Sequence, residues 1–191
     1  MRNQGQAVIE LIDTSPIPLR EARFAWPEAG SRVRGLNMYV HYDPQAHMPV
    51  CFKLSSPKLS DIAQARAMSI QPGTIYVFDK GFADYSWWQE ICEAKAIFIT
   101  RLKSNAHRRD VAPMGGAIEA PILADNRLRI GHKKPRGGAD NQLYDTPLRE
   151  VLVERDGKTP LRLITNDFKR PAIEIAELYK QRWQACPRLR A

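Results

Sequence analysis

Cysteine is scarce in this chain. Its 191 residues include three, Cys51, Cys92 and Cys186, an odd number with no Cys-x-x-Cys pair. That speaks against a disulfide framework and a structural zinc site and fits a reducing cytoplasm. Long apolar runs are missing as well. No stretch reaches the roughly eighteen apolar residues a membrane-spanning helix needs. The opening MRNQGQAVIELID has no apolar segment of signal-peptide length and no small-residue cleavage site, so export by that route is not expected. There is no internal repeat and no low-complexity tract. Ser15 and His41 are available as a hydrolase pair, but no Gly-x-Ser-x-Gly elbow accompanies them, which leaves a serine hydrolase little support.

What is plentiful is positive charge. Lys and Arg number 29 against 21 Asp and Glu, for a net charge of +8 and a pI near 9.6. Hydrophobic residues at 43% and charged residues at 26% are ordinary for a folded soluble chain, so the basic excess sits on a structured surface. Such a balance favours a polyanionic partner. Within residues 101–136, nine cations face three acids. Arg108, Arg109, Arg127, Arg129, Lys133, Lys134 and Arg136, with His107 and His132 beside them, suit a DNA backbone. The plainer reading of such a run is a solvated face.

Residues 7–12 (AVIELI) read as a buried strand, stopped by Pro16 and Pro18 with Asp13 at its end. Residues 35–42 and 49–55 read as a hairpin around Asp43-Pro44. Ser60 and Asp61 cap a helix to about Met68. TIYVFD (74–79) is a second apolar strand, ending in Asp79. Asp84 caps a helix carrying Trp87, Trp88, Ile91 and Cys92, where the tryptophans read first as core. AIFITRL (96–102) is the next strand, and Gly81 reads as a turn residue. From 104 to 160 the chain is rich in Gly, Pro and Asn with short strand-like pieces. LRLIT (161–165) returns to a buried strand, and a helix begins after Pro171. On that helix Ile173, Ala176 and Tyr179 share one face, and Ile175, Leu178 and Arg182 a neighbouring one. The division expected is 1–103, a β-rich insertion at 104–160, and 161–191. A right-handed crossover lays strand 74–79 parallel to a neighbour. If that neighbour is strand 7–12, Asp13 and Asp79 sit side by side.

Two carboxylates so placed suit a divalent cation, because Mg²⁺ takes oxygen ligands, keeps waters and shares substrate phosphates. Asp also ends strands simply because it favours turns. The wording around both residues bears on this choice. LIDTSPIPL, SRVRGLNMYVHYDP, YVFDKGFADYSWW, FITRLKSN, ITND and IAELYKQRW resemble, in order and spacing, the DDE transposases of bacterial insertion sequences, specifically the insertion-sequence family 4 group. The likeness runs from about residue 6 to 184. It implies an α/β fold: a ribonuclease-H-like mixed sheet with flanking helices and a β-rich insertion before the last helix. It implies Asp13 and Asp79 as catalytic carboxylates holding Mg²⁺ or Mn²⁺, and Tyr179 and Arg182 as contacts to DNA phosphate. The partners implied are insertion-sequence ends and target DNA, with a homodimer or pairing with a full-length copy, in the bacterial cytoplasm at the nucleoid and away from membranes.

The family pattern Tyr-x2-Arg-x3-Glu then places Glu at 186, where this chain has Cys186, followed by Pro187, which costs about 3 kcal/mol inside a helix. Mg²⁺ is a hard cation and favours oxygen over sulfur. Glu177 lies 2.5 turns back and faces the other way. The expectation is therefore a catalytic core truncated at both ends, by a frameshift or an unrelated join, with impaired activity. The rival readings are a non-catalytic DNA-binding remnant and a ribonuclease-H-like nuclease.

Overall fold

The computed structural model describes residues 7–19, 35–135 and 139–189, with side chains through 183. Nine strands alternate with three helices: β1 (Ile9–Pro18), β2 (Gly35–Asp43), β3 (Met48–Ser55), α1 (Asp61–Arg66), β4 (Ile75–Val77), α2 (Tyr85–Glu93), β5 (Ile97–Arg101), β6 (Arg108–Pro113), β7 (Ile122–Ile130), β8 (Leu148–Val153), β9 (Leu161–Thr165) and α3 (Ala172–Leu189). They build one sheet in the order β3-β2-β1-β4-β5-β9-β8-β7-β6. β1 is antiparallel to β2 and β2 to β3, whereas β4 lies parallel to both β1 and β5. β6, β7 and β8 arise within 104–160 and extend the same sheet through β9.

Successive side chains of a strand point to opposite faces, and the core divides accordingly. Ile12, Phe78, Phe98 and Ile164 pack with Trp87, Trp88 and Ile91 of α2 on one face. Leu11, Val77, Ile99 and Leu163 pack with Ile175, Leu178 and Tyr179 of α3 on the other. The tryptophans are thus core residues: Trp88 stacks on Phe98 at 5.0 Å between ring centroids. The short helices are set by their caps, Ser60 accepting from Ala63 N–H and Asp84 from Trp87 N–H. Of the α3 residues singled out by periodicity, Ile175, Ala176, Leu178, Tyr179 and Arg182 are buried, whereas Ile173 in the first turn is exposed.

Two element ends differ from the sequence expectation. β1 does not stop at Asp13 but runs to Pro18, paired residue for residue with β2. Its pairing with β4 ends earlier, at Leu11↔Val77, so the far half of β1 has an open side. Pro16 and Pro18, at alternate positions, direct their missing donors to that side, where no ladder bond is lost. At the other end of the chain, the helical backbone of α3 continues to Leu189, so Pro187 does not end it.

Candidate active site

The register of the parallel strands places the two carboxylates. Leu11 pairs with Val77, and Asp13 and Asp79 each lie two residues further on, so both leave the sheet on the face that α3 covers. Asp13 is thus not a strand-end residue; it sits within β1 opposite Val40, beside the place where β4 has stopped. Asp79 begins a single 3₁₀ turn, Lys80–Phe82. Gly81, in that turn, has room for a methyl group, since a Cβ there would meet only Asp61 Oδ2 at 3.5 Å.

α3 supplies the other half of the site. Tyr179 and Arg182, three residues apart, share a helix face. The Tyr179 hydroxyl donates to Asp79 Oδ1 at 3.2 Å. Arg182 Nη1 donates to Asp13 Oδ1 at 3.3 Å, and its Nη2 lies 3.7 Å from Asp79 Oδ1. The Arg182 side chain is 3% exposed, against 13% for Asp13 and 33% for Asp79. Ser15 Oγ lies 3.3 Å from Asp13 Oδ2 and donates to it. Burial pushes the Tyr179 hydroxyl well above the ordinary tyrosine range, outweighing the pull of Arg182, so it remains a donor at any physiological pH.

As ligands, Asp13 and Asp79 offer hard oxygen donors that suit one Mg²⁺ or Mn²⁺ completed by water and a substrate phosphate. Among the described residues no group of three His, Cys, Asp or Glu gathers to hold a metal. Glu177 is exposed and pairs with Lys180 at 3.5 Å. His41 is buried elsewhere, 2.5 Å from Glu10 and 3.0 Å from the Tyr39 hydroxyl. Burial pushes the Cys92 thiol up to about 11, which leaves it inert.

The cations of the 101–136 run divide into groups. Arg108 pairs with buried Glu150 at 3.1 Å. Arg109 donates to the Gly131 and Tyr144 carbonyls and lies 3.6 Å above the Tyr144 ring. Arg129 pairs with Asp110 at 3.1 Å. These three are partly spent on holding β6, β7, β8 and the loop between β7 and β8 together. Arg127, Lys133 and Lys134 form no ion pair among the described residues, and Arg136 lies outside them.

A cleft of about 890 Å³ opens directly from Asp79, and Lys80, Arg101, Lys103, Arg155 and Arg162 line it. Arg162 shares Glu150 with Arg108. Lys80, Arg101 and Lys103 have no ion pair among the described residues. In sequence Arg101 and Lys103 are only part of a basic run, and nothing local marks Arg155 or Arg162. Those residues converge because β9 pairs with β5, and that pairing is not written in local pattern.

Comparison with known proteins places the chain in a family. Residues 4–185 fit the family model of the transposase DDE domain, and the chain belongs to that family. It is 38% identical over 189 residues to a putative transposase, y4zB, of Sinorhizobium fredii, covering 96% of this chain and 51% of the relative. It is 22% identical over 179 residues to a probable transposase for insertion sequence element IS5377 of Geobacillus stearothermophilus, covering 92% and 45%. The chain therefore spans about half the length of these relatives. Among solved structures, the piggyBac transposase in its synaptic complex with hairpin DNA superposes with a TM-score of 0.60 at 11% identity, over 95% of this chain and 39% of that one. The fold is accordingly the ribonuclease-H-like one.

Proposed function

We propose that this chain is the catalytic region of a DNA transposase, acting by metal-dependent phosphodiester hydrolysis and strand transfer and impaired because Cys186 stands where the family pattern has Glu. The observation that carries the reading is the register: Leu11↔Val77 in parallel, with Asp13 and Asp79 two residues beyond and Arg182 reaching both. Asp13 and Asp79 would hold the cation. Bound Mg²⁺ or Mn²⁺ supplies Lewis-acid polarisation of the phosphodiester and lowers the pKa of water.

The protein's own groups do the rest. Tyr179 fixes the rotamer of Asp79 through its hydroxyl, and Ser15 does the same for Asp13. The cleft cations run away from Asp79, the one acid beside five cations in the lining, and suit the phosphates of one DNA strand. A thiol at 186 leaves two carboxylates for a reaction that in this family uses three, so one of two cations would lack a ligand.

The test is cleavage of insertion-sequence-end DNA with Mn²⁺. Weak, Asp13- and Asp79-dependent cutting that rises in Cys186→Glu supports the reading. Efficient cutting by the unaltered chain removes the impairment. Equal cutting of DNA without element ends points to a nuclease instead. Binding with no cutting, even in Cys186→Glu, points to a non-catalytic DNA-binding remnant.

A further inference from the structure

The position of Arg182 raises a question that the metal reading leaves open. Its side chain is almost wholly buried, and its guanidinium contacts the same two carboxylates that would hold a cation, Asp13 at 3.3 Å and Asp79 at 3.7 Å. Both contacts fall on the Oδ1 oxygens, so one guanidinium spans the two acids. Two carboxylates brought this close repel in a region of reduced dielectric unless a positive charge lies between them. Arg182 supplies that charge in the structure described here.

We infer that Arg182 is the resident counter-cation of the Asp13–Asp79 pair, and that a divalent cation enters the site in competition with its guanidinium. This rests on the proposal that the pair takes a divalent cation. Charge bookkeeping supports competition over coexistence. A guanidinium already set against Asp13 and Asp79 offsets much of the negative charge that a dication needs in exchange for its shed water, even with Asp61 close enough to act on Asp13.

The guanidinium also has somewhere to go. Its Cζ lies 4.5 Å over the ring of Trp183 and 5.4 Å over that of Tyr179. Trp183 is 53% exposed, so a shift toward it carries the charge outward to the mouth of the site while keeping an aromatic face beneath it. In that position it faces the place a substrate phosphate would take, a role to which guanidinium is suited.

The experiment measures cation binding rather than activity. Mn²⁺ binding to the full chain is followed by calorimetry for the unaltered protein, Arg182→Gln and Asp79→Asn. Arg182→Gln is expected to bind Mn²⁺ about tenfold more tightly, the scale of one pKa-unit-sized interaction, and Asp79→Asn to lose binding. In the unaltered protein, saturating Mg²⁺ is expected to change tryptophan emission, and Trp183→Phe to abolish that change while keeping Mn²⁺ affinity. The emission arm does not depend on Arg182→Gln folding well. Unchanged or weaker Mn²⁺ binding in Arg182→Gln, or saturation with no change in Trp183 emission, overturns the inference while leaving the metal site standing. If neither the unaltered chain nor Arg182→Gln binds Mn²⁺, the metal reading itself falls and the inference with it.

Discussion

Arg182 is held by Asp13 of β1 and by Asp79 just beyond β4, and removing either should be felt in stability before it is felt in chemistry. Replacing a catalytic carboxylate often relieves repulsion and raises stability. Here Asp13→Asn would remove a carboxylate that meets a buried guanidinium, so a loss of about 1–3 kcal/mol is expected in metal-free buffer. Urea unfolding checks it, and an increase in stability would show that repulsion, not the ion pair, dominates. Tyr179→Phe removes one hydrogen bond to Asp79 and should cost about 1 kcal/mol or less. At this scale much was readable. Asp13 and Asp79 were legible as carboxylates beyond two apolar strands, Tyr179 and Arg182 only through the family resemblance, and the structure brings all four together. The bond from Ser15 to Asp13 was not readable, because it depends on the strand continuing past Asp13.

The elements are placed by a few buried polar anchors. Arg149 of β8, 4% exposed, forms a two-pronged pair with Asp125 of β7 at 2.7 and 2.8 Å. It also donates to the Asp167 and Arg170 carbonyls, which fixes the turn that launches α3. Arg149→Ala is expected to cost about 3–5 kcal/mol, as for other broken buried pairs, and to loosen Tyr179 and Arg182. Faster hydrogen exchange in α3 than in α2 checks it.

Asp167 adds a pH dependence. Burial alone would raise its carboxyl, but hydrogen bonds from the Lys169 and Arg170 amides and the Arg170 guanidinium outweigh burial and hold it below its ordinary value of 3.8. A depressed folded value stabilises the fold above the unfolded value, and that contribution disappears as pH falls through the folded one. The stability gap between the unaltered chain and Asp167→Asn should be about 2 kcal/mol at neutral pH. It should close as pH falls below 3.8 and through the lowered folded value; a gap unchanged by acid would contradict this. The helices were legible because Ser60 and Asp84 announce their caps. The overrun of β1 was not, because Pro16 and Pro18 read as stops unless one knows that their side of the strand is unpaired.

For the molecule as a whole, the net charge of +8 has more than one use. Some cations of the 101–136 run are absorbed by Glu150, Asp110 and backbone carbonyls, while others line the cleft beside Asp79. Sequence showed how many there were, but only the β5–β9 pairing shows which ones converge on Asp79. If DNA lies in the cleft, log affinity against log salt should have a slope of about −4 to −5 for five neutralised phosphates. Arg101→Gln and Lys103→Gln should each reduce its magnitude by about one with little loss of stability. Arg108→Gln and Arg129→Gln should lower thermal stability and move the slope less. The reverse pattern would put the DNA on β6 and β7.

The same architecture has a consequence for how the site comes into being. Asp13 and Arg182 are separated by 169 residues, and α3 packs on strands from both the first and the last third of the chain. Contacts of such long sequence separation close late, after the loop entropy between them has been overcome. During synthesis the two strands that carry the carboxylates emerge long before the helix that neutralises them. The nascent site therefore passes through a stage in which both acids stand uncompensated, and docking of α3 is the event that closes it. Refolding followed through a probe at Trp183 should accordingly lag behind the burial of Trp87 and Trp88.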